Sequence, residues 1–85
     1  MQKTLGSRAH EALVALLIDK RKAAGLTQDD LAKAMGEHQS FVARLESGQR
    51  RIDVIEYVTL AQVIGFDPTE ALKQLISEVE QERML

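Results

Sequence analysis

Apolar residues recur along this chain at helical spacing and never alternate with polar ones for long enough to describe a strand. Leu13, Leu16 and Leu17 share one helical face, Leu31, Ala32 and Met35 a second, and Val42 with Leu45 a third. Val58, Leu60, Ala61, Ile64, Leu72 and Leu75 continue the pattern and complete the expected core. The apolar runs stop at Gly25, Gly36, Gly48 and Gly65, where a helix end takes a left-handed cap. Three helix starts carry capping-box spacing: Thr27 with Asp30, Asp53 with Glu56, and Asp67 with Glu70, the last followed by Pro68 at the first helical position. Stops and starts together predict five helices at about 7–24, 28–35, 39–47, 54–64 and 68–83, and therefore an all-α fold.

The 85 residues suffice for one compact domain, 1–85, with a modest core. The second and third helices are too short to stand alone and need tertiary support. The third opens on His38, Gln39 and Ser40, polar positions where a core helix would bring apolar ones.

Charge changes this picture locally rather than globally. The net charge of −2 argues against a non-specific polyanion binder, yet residues 1–25 sum to +3 and 36–51 to +1, while 52–69 sum to −3. One part of the chain can face phosphates while the acidic remainder faces away. Ordinary solubilising charge explains the same numbers.

Several chemistries drop out. Without cysteine there are no disulfides, thiolate nucleophiles or Cys-based zinc sites, which fits a reducing, cytoplasmic setting. The apolar run 12–18 spans seven residues, too short to cross a bilayer and the bare minimum for a signal core; no membrane association is expected. His10 and His38 lie 28 positions apart with no clustered ligands, so no metal is expected, and each reads as a surface histidine. Asp29 and Asp30 complement a helix N-terminus. No glycine-rich phosphate loop or nucleophile motif occurs, so neither a cofactor nor an enzymatic activity is expected.

The segment "TQDDLAKAMGEHQSFVARLESG" places an eight-residue helix, a turn opening with Gly36 and a second short helix in series. It resembles the helix-turn-helix, at about 28–47, of the XRE/Cro/C1-type, lambda-repressor-like DNA-binding family. "RKAAGLTQDDLAKAMG", "SFVARLESGQRRI" and "LAQVIGFDPTEAL" extend the resemblance over about residues 13–76. It implies a five-helix lambda-repressor-like bundle and a double-stranded DNA partner. Gln28 matches the position that bonds a phosphate and braces the recognition helix. Gln39, Ser40, Ala43 and Arg44 fall where that helix meets the major groove; a Gln there suits adenine, an Arg guanine, and a small residue leaves room for a thymine methyl. Phe41 sits on the exposed side if Val42 and Leu45 take the buried face, and either touches a thymine methyl or sugar or packs across the turn. Arg50, Arg51 and the backbone N–H groups of "SGQRR" match the family's phosphate clamp. Arg21 and Glu46 match its structural ion pair.

Two residues depart from the family pattern. Glu37 replaces an apolar residue of the turn, and His38 replaces a Ser or Thr cap; the imidazole can donate to a phosphate but is a poorer cap. On the last helix Leu72, Leu75, Ile76 and Val79 form a stripe that either completes the core or makes a homodimer. The resemblance thus implies a dimeric transcriptional regulator, a repressor before an activator, on an inverted-repeat operator. Its length suits a phage Cro-like protein, a restriction-modification controller or an antitoxin, with a toxin or polymerase as a further partner. The alternative is the same fold used as a protein–protein interaction module without DNA.

Overall fold

In the computed structural model, which describes residues 7–84, regular structure is entirely helical. The helices are α1 (Arg8–Ala23), α2 (Gln28–Met35), α3 (Gln39–Glu46), α4 (Val54–Ile64) and α5 (Pro68–Met84). Their ends obey local chemistry. Ser7 Oγ accepts from the His10 N–H at α1, and Thr27 with Asp30 forms a complete reciprocal box at α2. The hydrogen bonds from Thr27 hold the Asp30 carboxyl below its usual pKa. Gly36 ends α2 at φ +71°, a conformation only glycine adopts freely.

The other two expected boxes form only by half. Asp53 accepts from the Glu56 N–H and Asp67 from the N–H groups of Thr69 and Glu70. The acidic partners turn elsewhere: Glu56 pairs with Arg50 at 2.7 Å and Glu70 with Lys73 at 2.8 Å. A cation within reach outcompetes the neutral N–H for a carboxylate. His38 begins α3 with no side-chain cap bond, as its chemistry suggests.

The core draws on every helix: Leu16 and Leu17 of α1, Leu31 and Ala32 of α2, Phe41, Val42 and Leu45 of α3, Tyr57, Leu60 and Ile64 of α4, and Ala71 of α5. Ala32, 1% exposed, lets α2 and α3 approach closely. Tyr57 resolves its buried hydroxyl by donating to the Pro68 carbonyl at 2.8 Å. Three expected core residues lie outside the core cluster, Leu75 half-buried and the other two exposed. Val58 and Leu72 are 38% and 40% exposed, because α4 buries the 57/60/61/64 stripe and α5 meets the bundle chiefly through Ala71. His10, expected at the surface, is 4% exposed, and its Nε2 has no hydrogen-bond partner.

The two ends of the described chain meet. The Ala9 N–H donates to Glu82 Oε1 at 2.7 Å, and Arg8 bonds Gln81 at 2.6 Å and Glu78 at 3.3 Å. These contacts lay α5 along α1, while α2 and α3 pack against each other and are backed by α4 and α1.

Candidate nucleic-acid interface

α3 is held from behind and open in front. Val42 and Leu45 are fully buried, while Gln39, Ser40 and Arg44 are exposed and Ala43 is half-buried. A rigid inner face with a polar outer face is what a recognition element needs, since loose side chains lose entropy on binding.

Behind the helix lies an ion pair. Arg21 Nε donates to Glu46 Oε2 at 2.6 Å and Arg21 Nη2 to Glu46 Oε1 at 3.0 Å. Arg21 Nη1 also donates to the Leu26 carbonyl at 2.8 Å, which ties in the α1–α2 connection. The two side chains are 10% and 5% exposed. The hydrogen bond to Glu46 raises the Arg21 pKa further, so the guanidinium stays charged. Gln28 Nε2 joins the pair by donating to Glu46 Oε1 at 3.0 Å, and Gln39 Nε2 donates to Gln28 Oε1 at 2.8 Å. Gln28 therefore braces Gln39 directly.

Three expectations about this surface need correction. Phe41 is buried, at 9% exposure, and joins the core cluster; it does not lie on the outer face of α3. The inward stripe is wide enough to hold positions 41, 42 and 45 together, and the Arg50 guanidinium covers the ring at 4.5 Å from its centroid. Packing across the turn is the alternative that holds.

Arg50 itself is already paired within the chain. Its Nη1 and Nη2 donate to the two Glu56 oxygens at 2.7 and 2.9 Å, and Nη1 also reaches the Arg51 carbonyl at 3.1 Å. The bond to Glu56, with smaller contributions from Asp53 and Glu37, raises the Arg50 pKa. Glu37, unexplained by the family pattern, thus adds its charge to the field around Arg50. Three of the loop N–H groups are also engaged: Ser47, Gly48 and Gln49 donate to Ala43, Leu45 and Arg44 carbonyls, closing the end of α3. That leaves Arg51, exposed and outside the ion pairs found among the described residues, as the loop's available cation. His38 is exposed beside Gln39 at the start of α3.

A separate apolar surface lies on α4 and α5. Ile76 is 58% exposed, Val79 45% and Leu72 40%, with Leu75 half-buried. Val54 and Ile55, at 74% and 75%, were not singled out from sequence. A shallow pocket lined by Val54, Tyr57, Leu72 and Leu75 joins the two helices into one surface. The sequence carried no signal for Val54 and Ile55, since Val54 with Tyr57 and Ile55 with Val58 repeat at the spacing of core residues.

Among the described residues no three His, Cys, Asp or Glu side chains could hold a metal ion, and no helix is long and apolar enough to cross a membrane.

A short helix pair with a left-handed glycine turn, closed by three further helices and presenting a polar outer face, defines a helix-turn-helix domain. The helix-turn-helix family model matches residues 17–70. An XRE-family like protein from Pseudomonas syringae pv. tomato str. DC3000 is 43% identical, with a TM-score of 0.76 covering 81% of this chain and 84% of that one. The chain belongs to the XRE family of helix-turn-helix proteins. The clp gene regulator ClgR from Corynebacterium glutamicum shares the fold, with a TM-score of 0.72 and 23% identity over 81% of this chain and 90% of that one. A cyanate hydratase from Laccaria bicolor is 33% identical over 64 residues, 75% of this chain. The match spans only 39% of that enzyme's length.

Proposed function

We propose that this protein is a sequence-specific double-stranded DNA-binding transcriptional regulator. The observation that carries the reading is the outer face of α3, where Gln39, Ser40 and Arg44 stand exposed on a helix anchored by fully buried Val42 and Leu45. Gln39 pairs with adenine, Arg44 with guanine, Ala43 leaves room for a thymine methyl, and Gln28, His38 and Arg51 contact phosphates. The apolar α4–α5 surface, formed by Leu72, Leu75, Ile76 and Val79 with Val54 and Ile55, joins two copies about a two-fold axis. Two recognition helices then sit roughly 34 Å apart, one DNA turn, on an inverted repeat. Occupying such a site represses by excluding polymerase. No cofactor or catalytic step is part of this reading.

A second reading, a helix-turn-helix that binds protein rather than DNA, draws on the net charge of −2 and on the neutralisation of Arg50 by Glu56. Selection of bound duplexes from a random DNA pool separates the two. DNA binding predicts enrichment of an inverted repeat, and Gln39→Ala or Arg44→Ala should relax the preference at one position per half-site, each by about 1–3 kcal/mol. A pool that emerges without enrichment favours the protein-binding module.

The two loop arginines should separate cleanly. Arg51→Ala is expected to weaken binding to all sequences alike and to lower the salt slope by about 1, with the melting temperature unchanged. Arg50→Ala should instead lower stability by on the order of 1 kcal/mol, because Phe41 loses its cover and Glu56 its partner. Salt titrations and thermal melts of both variants check this; the reverse pattern would return Arg50 to the phosphate clamp.

A further inference from the structure

The hydrogen bonds that link the buried ion pair to the outer face of α3 all run one way. Glu46, as a carboxylate, offers only acceptors, and both of its oxygens already receive N–H groups of Arg21. Gln28 can join only by turning its NH2 group toward Glu46, and it does so at 3.0 Å. Its Oε1 is thereby turned away. That oxygen in turn demands a donor, which Gln39 supplies from Nε2 at 2.8 Å. The Gln39 amide thus spends one N–H within the protein. What remains for a ligand is its carbonyl oxygen and one N–H.

We propose that Glu46 is a positioning residue for base recognition: its charge, passed through Gln28, fixes which way round the Gln39 amide stands. The inference rests on the DNA reading of α3 and deepens it by naming what holds Gln39 to adenine. One acceptor beside one donor complements adenine, whose major-groove edge offers the N6 amino group next to N7. It mismatches guanine, whose O6 and N7 are both acceptors. An amide free to reverse would offer both N–H groups outward and accept guanine as well. The buried charge pair therefore acts on specificity at a base that neither of its members touches.

A purely structural Glu46 makes a different prediction. Weakening the scaffold lowers affinity for all sequences together, whereas losing the relay alters preference at a single base pair per half-site. Glu46→Gln tests this, because a carboxamide can hold Arg21 with its oxygen and still offer an N–H to Gln28, permitting the chain of amides to reverse. Gln28→Leu removes the relay while leaving Arg21 and Glu46 paired, and carries the test if Glu46→Gln does not fold.

The experiment uses the full chain and duplexes of the selected operator that differ only at the base pair where Gln39→Ala loses its preference. Affinities for the adenine and guanine versions are compared by competition. The parent is expected to favour adenine by roughly tenfold or more. Both variants should bring that ratio to within about threefold of unity while preferences at other positions persist. Folded variants that keep the parent's ratio, or that lose affinity for every duplex equally, overturn the positioning role and leave DNA binding standing. A parent chain that selects no sequence overturns both.

Discussion

Arg21→Ala is expected to lower the unfolding free energy by about 3–5 kcal/mol. The substitution leaves the Glu46 carboxylate, whose side chain is only 5% exposed, without its cation, and removes the bond to the Leu26 carbonyl as well. At this chain length each kcal/mol shifts the melting temperature by roughly 4–8 °C, so a drop of at least about 12 °C should appear. Against a total stability of about 5–15 kcal/mol, the variant would stand close to unfolding. Urea titration followed by circular dichroism measures the effect. Replacing both partners together, as Arg21→Met with Glu46→Leu, should restore most of the loss, since an apolar pair avoids the buried charge altogether. A single-variant loss below about 1 kcal/mol would show that solvent reaches the pair and that its scaffold role is minor.

The second large effect concerns assembly. Ile55→Asp and Ile76→Asp, introduced together, should reduce operator affinity by on the order of 10²–10⁴, because each half-site then binds alone and loses the effective concentration supplied by its partner. Stability should hardly change. Both positions are exposed in the single chain, at 75% and 58%, and an acidic residue in the first turn of α4 complements the helix dipole. Sedimentation of the free variant is expected to give a monomer. If the variant still sediments as a dimer, or binds the operator as the parent does, the α4–α5 surface is not the two-fold contact.

The helices themselves were legible because their signals are local. Predicted and observed bounds agree to within about one residue at each end. The reason lies in side chains that cap a backbone N–H three residues away and in glycines that take the left-handed turn, as Gly36 does at φ +71°. The site was legible in part. Gln39, Ser40 and Arg44 are exposed as the family pattern implies. Phe41 was not, because a helical wheel of eight residues cannot say how wide the buried stripe is, and its cover, Arg50, comes from the loop beyond the helix. Arg50 shows the same limit from the other side. In "GQRRID" it reads as one of two equal cations, yet Glu56 lies within reach of the first and not of the second. Val58 and Leu72 match core residues in chemistry and period, and only the placement of α4 and α5 leaves them outside.

By itself, the sequence determined the all-helical class, the five segments, the glycine turn between α2 and α3, and the polar character of the helix that follows it. Each of these depends on interactions within a few residues, where chain connectivity holds the partners together at little entropic cost. Tertiary structure alone decided which of several equivalent charges pair. Arg50 pairs with Glu56 although Arg51 stands beside it, and Arg8 meets Glu78 from the other end of the described chain; the orientation of the Gln39 amide follows from Arg21 and Glu46, a pair that the family pattern implied. Such choices depend on which partner the packed helices bring within about 3 Å, a distance that the identity and spacing of residues leave open.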